Sequence, residues 1–94
     1  MFTLHVELRV KPGSEQMLRK IFHETFRPAI SRQEGFRNVA LLSPCDKANS
    51  YVLTIVFENQ PLQQKWVATD VHEKAWSQIE SLCTGYTVKS YDAV

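Results

Sequence analysis

His72 lies between Trp66 and Trp76, and these three side chains, held within eleven residues, are the part of the chain best equipped for chemistry. An imidazole titrates near neutral pH and can act as a general base. Indole rings offer broad flat surfaces on which a planar molecule can stack. Asp70 and Glu73 have the spacing of a capping box, so a helix is expected to start at Val71, with Trp66 on a separate short helix before it. His72 and Trp76 are then four apart and share one side of the new helix. Aromatic side chains and one titratable group that meet at a helix–helix corner are a common lining for a small-molecule pocket.

Each candidate has a plainer role to weigh against this. His72 could be a surface histidine in a first helical turn. Trp66 and Trp76 could be core or interface residues, because tryptophan has the largest apolar area to bury. Phe22 and Phe26 face the sheet and serve either as pocket wall or as plain core. His23 and Arg27 fall off the apolar stripe of their helix and are expected in solvent. Cys45 and Cys83 have no base at a readable spacing, which argues against a thiol nucleophile.

Other classes are disfavoured by what the sequence lacks. Acids and bases nearly balance, giving a net charge of +1, so charge does not point to a nucleic-acid or membrane surface. No apolar run is long enough to span a bilayer, and the start of the chain has no signal-peptide pattern. Two distant cysteines make no disulfide framework, so the cytoplasm is the expected compartment. His5, His23 and His72 are scattered, and a metal site is not expected. Gly13, Gly35 and Gly85 stand alone, so no phosphate-cradling loop, and hence no nucleotide or flavin cofactor, is expected.

The elements that must position these residues follow from periodicity. Residues 2–11 alternate, with Phe2, Leu4, Val6, Leu8 and Val10 on one face and Thr3, His5, Glu7, Arg9 and Lys11 on the other, which predicts a half-buried strand. Pro12-Gly13 ends it, and Ser14 is in place to cap a helix. Met17, Leu18, Ile21, Phe22, Phe26, Ala29 and Ile30 then recur at helical spacing over about residues 14–34. Pro28 removes a donor and crowds the carbonyl of Glu24, so a kink is expected, and Gly35 is placed to cap the helix end. Residues 36–43 and 51–58 read as strands joined as a hairpin by the loop 44–50. A short helix starts at residues 59–61. The longer helix from Asp70, with Val71, Ala75, Ile79 and Leu82 as its stripe, is expected to end at Gly85. Residues 86–91 complete the set as a fourth strand.

The order is β-α-β-β-α-β in one domain over residues 1–94, an α+β, ferredoxin-like arrangement. The second and third strands are apolar on both faces, and two helices can cover only one face of a sheet this small. The other face is expected to meet a second copy of itself, making a homodimer. An RNA-binding role on this fold would need basic residues on the central strands, and residues 51–57 contain none.

Nearly the whole chain resembles the antibiotic biosynthesis monooxygenase (ABM) domains. The resemblance is carried by Val10-Lys11-Pro12-Gly13, by Glu34-Gly35-Phe36, by the strand over residues 52–58 and by Val71-His72-Glu73-Lys74-Ala75-Trp76, with Pro28 similar to a proline of quinol-oxidising members. It implies a dimeric α+β barrel, and its oxygenase members use neither metal nor flavin. One branch degrades haem with a first-strand asparagine, a tryptophan and a later histidine. Trp66 resembles that tryptophan, but the first strand has no asparagine, and Trp76 occupies the place of the histidine. A second branch isomerises a phosphorylated autoinducer-2 breakdown product, and residues 79–85 resemble its last helix. The third oxidises quinols or polyphenols without a cofactor, and His72 resembles the histidine beside its substrate. The resulting expectation is a cofactor-independent monooxygenase for a quinol or polyphenol-like small molecule, with His72 catalytic and Trp66, Trp76, Phe22 and Phe26 binding substrate. An isomerase of a phosphorylated compound, or a non-catalytic binding or assembly module, is the alternative.

Overall fold

The computed structural model describes residues 1–46 and 48–94; Lys47, in the loop between the second and third strands, lies outside them. Strands β1 (Phe2–Val10), β2 (Phe36–Leu42), β3 (Ser50–Phe57) and β4 (Cys83–Asp92) form one sheet in the order β2-β3-β1-β4. Every neighbouring pair is antiparallel, which is the ferredoxin-like topology. Helices α1 (Glu15–Ile21) and α2 (Arg27–Ser31) are joined by a π-helical turn, Phe22–Phe26. Helices α3 (Gln60–Val67) and α4 (Asp70–Glu80) follow β3.

The alternation in β1 sorts its side chains as the sequence predicts. Phe2, Leu4, Val6, Leu8 and Val10 are buried under the helices, with Tyr51, Leu53, Ile55 and Phe57 beside them on β3. Leu18, Phe22, Phe26 and Ile30 press down from the first helical segment, and Trp66, Ala75 and Ile79 from the last two helices. Lys11-Pro12-Gly13-Ser14 closes a tight turn, with the Ser14 N–H donating to the Lys11 carbonyl at 3.0 Å. Gly13 supplies the positive φ of 86° that the third turn residue requires after a proline.

Several local expectations are corrected. The departure from α-helix near Pro28 takes the form of a π-helical turn just before the proline. That wider turn accommodates the carbonyls that the missing N–H leaves unpaired. The segment ends at Ser31 rather than near residue 34, with Arg32 at its C-cap. Gly35 lies beyond it, at φ 80° in the turn into β2, where a Cβ would come within 2.9 Å of Leu62 Cβ. Ser14 precedes α1 without a side-chain capping bond. Thr69, not Asp70, caps α4, so the helix begins one residue earlier than expected. It stops at Glu80, and Gly85 is inside β4, paired with Arg9. Met17 and Val71, each about half exposed, lie at the margins of their stripes rather than in the core.

Candidate functional site

Between the helices and the sheet is a cavity of about 200 Å³. Its floor is apolar, made by Leu4 and Val6 of β1 and Leu53 and Ile55 of β3. Phe26, Gln63 and Trp66 wall it from the helical side, and His72 and Trp76 enter from α4. Val67, Tyr86 and Val88 also line it and remain substantially exposed, so they form its mouth.

The corner that carries Trp66 and His72 is built by one hydroxyl. Thr69 Oγ1 donates to the Trp66 carbonyl at 2.7 Å, at the end of α3. The same oxygen accepts from the His72 N–H at 3.1 Å, in the first turn of α4. This bond gives the helix one of its missing N-terminal partners and fixes where the next side chains emerge. The rings of Trp66 and His72 meet edge to face, 5.0 Å between centroids. Phe26 meets Trp66 in the same manner at 6.1 Å. Trp76 packs edge-on against Tyr86 at 5.0 Å.

Burial lowers the His72 pKa below the ordinary imidazole value, and the neighbouring Glu73 carboxylate partly opposes this. The imidazole is therefore neutral, with a nitrogen lone pair available, at neutral pH. Its ring makes no hydrogen bond among the described residues; only its backbone N–H is engaged. Cys83 goes the other way: burial and then Glu80 raise its pKa, which disfavours thiolate, and Sγ donates to the Ile79 carbonyl at 3.4 Å. Both cysteines are free.

Of the site residues expected from sequence, Trp66, Trp76, Phe26 and His72 line one cavity. Phe22 does not: it is buried in the core and stacks on Phe26 with ring centroids 6.4 Å apart. His23 and Arg27 are exposed. Sequence reasoning missed Gln63 and Tyr86. Gln63 is three residues before Trp66, hence on the same helix face, but Gln64 beside it hides the signal. It is only 6% exposed, the one polar residue among the buried ones described. Tyr86 alternates with Val88 on β4 and could have been found from that period of two.

The chain is an α+β, ferredoxin-like sheet with a largely apolar cavity beneath its helices, lined by His72. Residues 1–77 match the antibiotic biosynthesis monooxygenase family, and the chain belongs to that family. No curated protein matches it. Among solved structures it is similar to SnoaB, a cofactor-independent oxygenase from Streptomyces nogalater, at 24% identity and TM-score 0.87, covering 99% of this chain and 92% of that one. It is also similar to a candidate antibiotic biosynthesis monooxygenase of Bordetella bronchiseptica, at 17% identity and TM-score 0.88, covering 99% and 96%. A conserved protein from Methanosarcina mazei Go1 matches at 9% identity and TM-score 0.85, covering 96% and 89%. At these identities the likeness establishes the fold. Among the described residues no helix is long and apolar enough to cross a membrane.

Proposed function

We propose that this protein is a cofactor-independent monooxygenase that oxidises a planar phenol or quinol held in the cavity, with His72 as the base. The observation that carries this reading is the His72 imidazole, neutral and free of hydrogen bonds within an aromatic, largely apolar cavity. The imidazole nitrogen takes the phenolic proton. The phenolate passes one electron to O₂, and the radical pair combines at a ring carbon that carries hydrogen. Loss of that C–H proton breaks the O–O bond. One oxygen atom stays as the new quinone carbonyl and the other leaves as water, with the proton returned by the imidazolium. The ring loses four electrons and O₂ gains four. The family membership and the SnoaB-like fold support the same chemistry.

A phosphorylated substrate finds less support, because an isomerase of that class would gather Arg or Lys around the phosphate. The cavity lining contains neither. For assembly, we propose a homodimer through the uncovered sheet face, where Val52 and Val56 are half-buried and Leu42 and Tyr91 are exposed.

The test is protein-dependent oxygen uptake across hydroquinones, catechols and naphthols, compared for the wild type, His72→Ala and His72→Gln. Uptake by the wild type that both variants lose is the expected result. Equal rates in all three would remove His72 from the chemistry. No uptake by the wild type with any of them would leave the cavity as a binding site.

A further inference from the structure

Gln63 is the unexplained group of the cavity. It sits on the apolar face of α3, where a leucine would fill the space at lower cost in buried polarity. Its Oε1 is engaged, accepting from Gln64 Nε2 at 3.3 Å. Its Nε2 makes no hydrogen bond among the described residues, although no fully buried side-chain nitrogen or oxygen there lacks a partner. The amide nitrogen is thus not walled off. Gln63 lines the cavity and is almost wholly buried, so an N–H₂ group without a partner among the described residues is open to an occupant of that cavity. With Oε1 anchored on Gln64, the amide presents a donor to whatever occupies the cavity.

His72 and Gln63 thereby offer opposite hydrogen-bonding characters in one apolar space. One nitrogen of the neutral imidazole accepts, and the amide N–H₂ donates. The volume of about 200 Å³ also limits the part of an occupant that lies inside the mouth formed by Val67, Tyr86 and Val88. It is somewhat larger than an engineered cavity of about 150 Å³ that takes benzene, and smaller than the roughly 300–1,000 Å³ of sites for drug-sized ligands. The occupant that matches has one or two rings, a phenolic hydroxyl for His72 and a carbonyl for Gln63.

We propose that Gln63 sets the specificity of this cavity by donating a hydrogen bond from Nε2 to a carbonyl on the substrate, so that phenols of one or two rings bearing a carbonyl are selected over the same phenols without one. The inference rests on the reading of the cavity as a phenol site and names a narrower substrate class for it. An apolar group opposite Gln63 would leave the amide donor desolvated and unpaired, a penalty of about tenfold in affinity or more.

The probes are para-hydroxyacetophenone and para-ethylphenol, matched in size and differing in the carbonyl. Calorimetric titration gives their dissociation constants for the wild type, Gln63→Met and Gln63→Leu. The two phenols also differ in acidity, so the preference that persists in both variants belongs to His72 and the part that is lost belongs to Gln63. The expected result is a preference for the ketone about tenfold larger in the wild type than in either variant, with para-ethylphenol binding unchanged or tightened. A thermal unfolding transition and retained para-ethylphenol binding show that a variant is folded, and the two substitutions provide for one of them failing to fold. A preference equal in wild type and variant would overturn the proposal, as would a wild type that binds neither phenol. Loss of the preference in the variants, in a protein that takes up no oxygen with any quinol, would uphold the role of Gln63 while rejecting the monooxygenase reading.

Discussion

On the covered face of β1, Leu4 and Val6 form the floor of a cavity whose only titratable group from α4 is His72. One residue away on the same strand, His5 points to the opposite face. There it packs against Tyr91 with ring centroids 4.9 Å apart, and a depression of about 320 Å³ groups it with Glu7 and Lys89. Glu7 and Arg9 approach to 3.7 Å on that face, and Arg9 donates to Thr87 Oγ1 at 3.2 Å. The two histidines, one on α4 and one on β1, lie on opposite sides of the sheet and in different environments. His72 is partly buried without its ring gaining a hydrogen-bond partner among the described residues, and this favours the neutral, proton-accepting imidazole. His5 stands exposed in a field of mixed charges that solvent and salt screen. A histidine becomes a candidate base through what surrounds it, and the covered and open faces of one sheet supply the two surroundings.

The sharpest way to break this comparison is to substitute both histidines in the same manner. His72→Gln is expected to lower the turnover of a phenolic substrate by about 10²–10⁴-fold, the usual worth of a positioned base, while His5→Gln changes it by less than about twofold. Oxygen uptake measures both. A large loss from His5→Gln would move the chemistry to the other face of the sheet.

The open face has its own expected outcome. If it meets a second copy, Val56→Asp places a carboxylate opposite apolar partners, and an unpaired buried charge costs several kcal/mol. Light scattering at micromolar concentration should give twice the chain mass for the wild type and the single-chain mass for the variant. A wild type of single-chain mass would show that the sheet face stands uncovered in solution.

How much of this was legible in the sequence differs between the two faces. The strict alternation of β1 and the two-sided apolar character of β3 gave the sheet and the face that carries the helices, because a period of two leaves no other arrangement. The convergence of Trp66, His72 and Trp76 was legible too, since a cap between two helical stretches has to turn the chain. The cap itself was read one residue late. Thr69 and Asp70 both suit that position, and the choice depends on the Trp66 carbonyl, a tertiary partner that spacing does not reveal. Phe22 and Phe26 looked alike on one stripe, and only the depth of the first helical segment over the sheet separates core from cavity wall. Gln63 could not be distinguished from Gln64 without knowing which of them is buried.

Thr69 offers a smaller and more local test of the covered face. Thr69→Val keeps the shape but removes both hydrogen bonds of the hydroxyl, and loss of such a cap typically costs about 1 kcal/mol. Thr69→Ser should recover most of the stability measured by chemical unfolding. Because the same hydroxyl joins the Trp66 and His72 backbones, Thr69→Val should also reduce turnover beyond what its stability loss explains. A variant that loses stability but keeps full activity would make the corner a scaffold without influence on the site.

The smallest expected effect is the dependence of stability on pH that His72 contributes. Its folded pKa lies below the ordinary value, because burial outweighs the attraction of Glu73. The unfolded chain, with an ordinary imidazole, therefore binds the proton first as pH falls. Folding stability from this group is complete above the ordinary imidazole value and is lost progressively as pH falls from there through the folded value. The change is small, because the ring is only partly buried and solvent moderates the penalty. Activity follows the same direction: kcat/KM stays on its plateau at pH values where an ordinary imidazole would already be half protonated. Glu73→Gln removes the opposing charge and should move the inflection further down. Proton NMR titration of the His72 ring reads this directly in the wild type and in Glu73→Gln, with His72→Gln assigning the resonance. A ring that titrates at or above the ordinary value would mean that water reaches it freely and that the cavity does not tune His72.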